Sequence, residues 1–285
     1  MTELSQSVDL AGSTVERTSR EPLKLYWWNN TENFGDALGR DVVARLSGRT
    51  VVWSKEKDAD MFSAGSIMWH VRKGVKSRSN IPPPIIWGTG CMKPIDVDWL
   101  DSARICAVRG PLTAGVLCLA PLPFGDPGLL ATEIVRDVPK TEQVGIVPHH
   151  TNVDKNPYLK SLGLLPHIKI IDPRNNSPAE VIREIASCCY VYSQSLHGLI
   201  VADAFNVPNR LIYPEGIHGG ANPWFKFYDY AGSISRKLES PVCWKEILSD
   251  CVKSFRIKIN YQQAISEVAE GLKDTFPKEL KAGNS

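Results

Sequence analysis

The chain has 285 residues, 43% of them hydrophobic and 22% charged, with a formal net charge of +2. These values sit near the average for folded water-soluble chains and argue against disordered or fibrous classes. So even a charge balance also argues against bulk nucleic-acid binding, while leaving room for a local basic seat that receives an anion.

Residues 1–22, MTELSQSVDLAGSTVERTSREP, are polar and aperiodic and read as a mobile leader. From Leu23, short apolar runs alternate with amphipathic ones. KLYWW predicts a strand, FGDALGRDVVARLSG a helix closing at Gly48, and TVVW a second strand. ADMFSAGSIM, PPIIWGTG and ARICAVRG predict strands ending in glycine-bearing turns, and GPLTAGVLCL a helix opening on Pro111.

A second series starts at the strand QVGIVPHH. HIKIID follows as a strand, SPAEVIREIASC as a helix with Ser177 as N-cap, YVYSQS as a strand, LHGLIVADAFN as a helix and NRLIYP as a strand. PVCWKEILSDCVKSF and YQQAISEVAEGLKDTF carry helical spacing. Alternating buried strands and helices predict an α/β protein with mainly parallel sheets. The expected division is two Rossmann-like domains facing each other, over 23–140 and 141–240, with C-terminal helices over 241–285 packing back across them.

No apolar run approaches the roughly 18 to 20 residues that cross a bilayer, so a soluble cytoplasmic protein is expected. The seven cysteines form no CxxC pair, and Cys106, Cys118 and Cys188 lie in apolar stretches, which predicts buried reduced thiols.

In open parallel sheets, ligands bind beyond the carboxyl ends of strands. There the sequence places Asn33 and Asp36 of NNTENFGD, Thr89 of WGTG, Arg109 of VRGP, His149 and His150 of PHH, and His197 of SQSLHG. Arg109, at a helix entrance, suits a bidentate grip on phosphate or carboxylate, or else pairs with a neighbouring acid to pin the turn. His197 falls in the first turn of an apolar helix, where it can exchange a proton near neutral pH or serve as a capped core histidine. Ser193 and Ser195 add hydroxyl donors beside it. Asp36 can act in the site or cap the helix that follows. Lys226, among the aromatics of NPWFKFYDYAGS, can complete an anion site, and the aromatic faces suit the C–H surfaces of a sugar. No metal motif accompanies His149 and His150, no GxSxG elbow precedes His197, and GTG and SAGS fail the GxGxxG pattern, so no metal and no dinucleotide cofactor is expected.

Taken in order, NFGD, WGTG, VRGP, FGDPGLL, VPHH, SLHG with ADAFNVP, and KFYDY resemble the polysaccharide pyruvyl transferase family, the bacterial exopolysaccharide ketal-pyruvate transferases above all. The resemblance spans about residues 24–233. It implies a glycosyltransferase-B-like fold with the active site in the cleft, phosphoenolpyruvate as donor, and a saccharide acceptor, free or lipid-linked. It further implies at most peripheral association with the inner face of the cytoplasmic membrane. Carried over residue by residue, it places the donor near Arg109, Leu196 and His197. Some members have arginine where this chain has Ser195, so Lys226 is expected to supply the missing charge. Ketal formation needs an anion grip, a proton donor and a base. Arg109, Lys226 and the helix N-terminus after Ser195 are assigned to the first and His197 to proton transfer. Asn33, Asp36 and His149 are assigned to the acceptor side or to support behind it, with Asp36 and His149 placed beside His197 among the catalytic residues, and Asn33 and Thr89 to substrate binding. A nucleotide-sugar glycosyltransferase of the same architecture and a non-catalytic glycan-binding protein are the competing readings.

Overall fold

The computed structural model describes residues 21–79, 81–175, 177–214, 222–254 and 259–283. The expected leader, apart from Glu21 and Pro22, lies outside the described residues.

The first half runs β1 (Leu23–Tyr26), α1 (Phe34–Ser47), β2 (Val51–Trp53), β3 (Met61–Phe62), α2 (Met68–Lys76), β4 (Ile85–Trp87), β5 (Arg104–Ala107) and α3 (Pro111–Val116). The second runs β6 (Val144–Val147), α4 (Pro157–Gly163), β7 (Ile168–Ile170), α5 (Pro178–Ser187), β8 (Tyr190–Ser193), α6 (Leu196–Ala204), β9 (Asn209–Leu211), α7 (Phe225–Ser233), α8 (Ile247–Ser254) and α9 (Gln262–Thr275). The expected α/β class with parallel sheets is observed: β2-β1-β3-β4-β5 form one sheet and β7-β6-β8-β9 another, and every pairing within them is parallel. Each sheet's first strand sits inside its second, so the order reverses between β1 and β3 and again between β6 and β8. These are the topological switch points at which such sheets bind ligands.

Local chemistry explains the boundaries. In α1, Phe34, Leu38, Val42 and Val43 share one buried face, and Gly48 ends the helix with a left-handed φ of 66° while its N–H bonds to Ala44. Pro111 opens α3 as expected, and Pro178 opens α5 in the same way. Ser177 stands at the N-cap of α5, but its hydroxyl makes no capping bond. Three helices differ from the sequence reading. The stretch after β3 becomes α2, Pro157–Gly163 becomes α4, and the aromatic stretch around Lys226 becomes α7. The cysteine expectation also needs correction: all seven are free, but Cys118 is exposed, at a φ of 52°, and Cys106 is only partly buried.

The halves share one apolar core. Leu23, Leu38 and Trp87 from the first half cluster with Val147, Ile182 and Val201 from the second, and with Leu272 and Phe276 of the C-terminal segment. Burying each such side chain stabilises the fold by about 1.5 to 3 kcal/mol. The amide of Phe34 donates to the carbonyl of Pro173 at 2.8 Å, and the indole of Trp87 donates to the carbonyl of Leu272 at 3.1 Å. α9 thus ties back to the first sheet, with Ile265 near its start in the cluster that holds Leu199 and Ile200 of α6.

Candidate active site

A cavity of about 360 Å3 opens where the loops after β1, β3, β6 and β8 meet, so both switch points contribute to it. The size falls within the range usual for small-molecule sites. The sequence-predicted residues Asn33, Asp36, His149, Ser195, Leu196, His197 and Lys226 all line it.

Asn33 and Asp36 open α1. Asn33, rather than Asp36, is the N-cap: its carboxamide oxygen accepts from the amide of Gly35 and its nitrogen donates to Asp36 at 2.8 Å. Burial pushes the Asp36 carboxyl above the usual carboxylate range, against the opposing effects of His197, the Asn33 hydrogen bond and Lys226. Asp36 therefore keeps its proton to a higher pH than a solvated aspartate.

His197 stands at the second position of α6, 6% exposed. Its ring packs so tightly on α1 that a Cβ on Gly35 would stand 2.1 Å from Nδ1, which explains a glycine at that place in NFGD. Its Nε2 lies 3.7 Å from Oδ1 of Asp126, beyond hydrogen-bond distance. Asp126 is fully buried; Oδ1 accepts from the amide of Gly128, while Oδ2 and His197 Nε2 have no hydrogen-bond partner among the described residues. Buried polar atoms are nearly always hydrogen-bonded, so a carboxylate oxygen and an imidazole nitrogen that lack such bonds beside a cavity mark a site built for a ligand or a moving proton. Asp126 belongs to FGDPGLL, and only the fold brings it to His197.

The N-terminus of α6 adds N–H groups without intrahelical partners. Ser195 is its N-cap, buried at the cavity wall, and its carbonyl accepts from the Ser193 hydroxyl at 2.7 Å. His149 N-caps the short turn His150–Asn152, with Nδ1 accepting from the amide of Thr151; that puts the ring proton on Nε2 when the imidazole is neutral. The buried Gln194 fixes this loop. It accepts from the amide of His149 at 3.1 Å and from Asn152 at 2.9 Å, and donates to the carbonyl of Tyr213 at 3.1 Å.

Lys226 lies in the first turn of α7, and burial, with the like charge of Arg109, lowers its ammonium to about 8. It is a cation at neutral pH that is poorly solvated, a good seat for an anion.

Arg109 and Thr89 stand behind the cavity wall instead of lining it. Arg109 is fully buried: Nε donates to Asp229 at 2.9 Å, Nη1 to the Ser66 hydroxyl at 2.5 Å and Nη2 to the carbonyl of Cys91 at 2.7 Å. Of the two readings open for this residue, the acid pair is the geometry observed. Gly90 and Gly110 permit it, since a Cβ on the first would meet the guanidinium at 2.4 Å and on the second the Asp229 carbonyl at 1.9 Å. Thr89 accepts from the amide of Ile67 and donates to the carbonyl of Gly65 at 2.8 Å, fixing the SAGS turn whose Gly65 and Ser66 form the wall. His150, which the sequence placed beside His149, also lines the cavity; Trp28, Ile67, His70 and Met92 complete the lining and carry no signal in the sequence. Among the described residues, no group of three His, Cys, Asp or Glu side chains is placed to hold a metal ion.

Residues 93–216 match the model of the polysaccharide pyruvyl transferase family. The chain is also similar to the succinoglycan biosynthesis protein ExoV of Rhizobium meliloti (strain 1021), 34% identical over 113 residues, which are 36% of this chain and 33% of that protein. Similarity extends to the uncharacterized protein L143 of Acanthamoeba polyphaga mimivirus, 25% identical over 155 residues, 51% of this chain and 53% of that protein. The chain thus spans about a third and about half of the length of these two relatives. The family resemblance read from the motifs is borne out over the matched segment, which carries Arg109, Asp126, His149, Ser195, Leu196 and His197. Trp28, Asn33, Asp36, His70 and Lys226 are brought to the same cavity from outside it.

Proposed function

We propose that the chain transfers pyruvate from phosphoenolpyruvate to two hydroxyls of a sugar in an exopolysaccharide or its lipid-linked precursor, forming a cyclic ketal and releasing phosphate. One observation carries the reading: His197, with the buried Asp126 3.7 Å from its Nε2, shares a cavity with Lys226 and the N-terminus of α6, and His197, Asp126 and α6 lie in the segment that matches the pyruvyl transferase family. The similarity to a succinoglycan biosynthesis protein supports a polysaccharide acceptor.

The chemistry maps onto the side chains as follows. Lys226 and the free N–H groups of α6 hold phosphate and carboxylate. Arg109, paired with Asp229, holds Ser66 in place in the wall. His197, with Asp126 beside it, protonates the enol methylene carbon; C2 becomes cationic and takes one sugar hydroxyl. Phosphate then leaves with the C2–O electron pair and a second hydroxyl closes the ketal, so two hydroxyl protons balance the new methyl hydrogen and the proton on phosphate. Asn33, Asp36 and His149 face the acceptor, with Thr89 bracing the wall. The two sheets with their helices are the two Rossmann-like halves of a glycosyltransferase-B-like cleft. No helix of the described residues is long and apolar enough to cross a membrane, which fits a cytoplasmic enzyme at most peripherally attached to the inner membrane face.

Purified protein given phosphoenolpyruvate and a panel of free and lipid-linked oligosaccharides should release phosphate and yield a product heavier by one pyruvyl unit. Thermal shift separates the competing class: stabilisation by phosphoenolpyruvate supports pyruvyl transfer, and stabilisation by UDP or GDP sugars instead overturns it in favour of a nucleotide-sugar glycosyltransferase.

A further inference from the structure

Besides His197 and the His149–His150 pair, the cavity has a further histidine centre, far from these in sequence and outside the family-matched segment. His70, in the first turns of α2, lines the cavity with its side chain 22% exposed. Its Nδ1 lies 2.9 Å from Oε1 of Glu56 and 2.8 Å from the hydroxyl of Tyr26, and Lys73 donates to the same Glu56 oxygen at 3.1 Å. The ring stacks on Tyr26 at 5.1 Å between centroids and tilts against Trp28, another lining residue, at 5.4 Å. Gly74 lets the Glu56 backbone press against α2, where a Cβ would meet the Glu56 carbonyl oxygen at 2.4 Å.

An ionised carboxylate only accepts hydrogen bonds, so its contact with Nδ1 places the ring proton there. The hydrogen bonds from His70 and Lys73 outweigh burial and hold Glu56 below the usual carboxylate range, which keeps it ionised. In neutral His70 the lone pair is then on Nε2, which has no hydrogen bond among the described residues. A carboxylate that fixes a histidine tautomer while the other nitrogen is left for substrate is the arrangement of a general base.

Building on the pyruvyl-transfer reading, we propose that His70 is the base on the acceptor side: the sugar stacks against Trp28 and gives its hydroxyl proton to Nε2. As the sugar oxygen–C2 bond forms, the O–H bond breaks and its proton passes to Nε2; the resulting imidazolium, paired with Glu56, returns the proton to the departing phosphate. Glu56 is a positioning residue, since it acts through His70.

The test compares wild type, His70→Asn and Glu56→Gln. Asparagine keeps a donor near Nδ1 for Glu56 but removes Nε2. His70→Asn should lower kcat about 100-fold or more, with stabilisation by phosphoenolpyruvate unchanged, and should lose the acidic limb of the kcat–pH profile. Glu56→Gln should lower kcat about 10-fold and move that limb, which a purely structural role would not do. In unsubstituted protein, methyl β-galactopyranoside or methyl β-glucopyranoside, each offering a 4,6-diol, should shift the His70 Nε2 resonance. A wild-type kcat in His70→Asn, or an unmoved resonance when both saccharides are present at saturation, overturns the role of His70 and leaves pyruvyl transfer standing. If wild type neither binds phosphoenolpyruvate nor releases phosphate, both fall together.

Discussion

Helix α6 carries a buried acid cluster at each end, and the two are built differently. At its C-terminal end Asp203 is fully buried and accepts from Asn209 at 2.7 Å, Tyr230 at 2.8 Å, Tyr261 at 2.9 Å and Arg236 at 3.0 Å. At its N-terminal end Asp126 is equally buried, yet one carboxylate oxygen and the facing nitrogen of His197 lack partners among the described residues. A low dielectric strengthens a satisfied network and penalises an unsatisfied one. The first cluster is therefore spent on holding elements together, while the second keeps capacity in reserve beside a cavity.

The sharpest way to break this contrast is to remove one member from each end. Asp203→Ala strands Arg236 as an uncompensated charge and should cost about 3 to 5 kcal/mol in urea unfolding, with the activity of the remaining folded protein intact. His197→Ala should do the reverse: kcat down about 1000-fold, equivalent to about 4 kcal/mol of barrier, with an unfolding free energy within about 1 kcal/mol of wild type. If His197→Ala unfolds the protein as Asp203→Ala does, the distinction fails.

Gly35→Ala probes the same end from behind. Its methyl must displace the imidazole, so kcat should fall about 10- to 100-fold at a stability cost of about 1 to 3 kcal/mol. The smallest effect is expected at Lys226. Burial lowers its ammonium to about 8, so on the pyruvyl-transfer reading donor binding should be strongest below that pH and fade as pH rises through it. The unfolded lysine keeps its proton to higher pH, so the charged side chain destabilises the fold below about 8, and this cost is relieved as pH rises toward the ordinary lysine range. Lys226→Met should raise the phosphoenolpyruvate KM about 10-fold, abolish the pH dependence of KM near 8, and gain about 1 kcal/mol of stability.

The strand and helix alternation was legible because parallel strands buried on both faces read as apolar runs, and because Gly48, Pro111 and Pro178 punctuate the helices. Helix α2 was hidden by its neighbours: Met68, Val71 and Val75 have helical spacing, but Gly65, Gly74 and the prolines before β4 read as turn signals. The loops after strands led to Asn33, Asp36, His149, His150, Ser195 and His197 of the cavity lining, because a parallel sheet gathers its carboxyl ends in one place. Pairings across the chain were not legible. Arg109 meets Asp229 across 120 positions and His197 faces Asp126 across 71, separations that carry no local period.

Helix α7 sets adjacent residues into opposite halves: Asp229 bonds Arg109 behind β5, and Tyr230 bonds Asp203 on α6. Rocking one half against the other would require breaking a fully buried ion pair or a buried hydroxyl–carboxylate bond, each exposing an uncompensated group. The helix acts as a cross-brace, and Lys226, one turn upstream, is mounted on it. On the pyruvyl-transfer reading, donor entry and phosphate release are then expected to depend on loop motion more than on hinge closure, and crystals grown with and without phosphoenolpyruvate should superpose as one rigid frame.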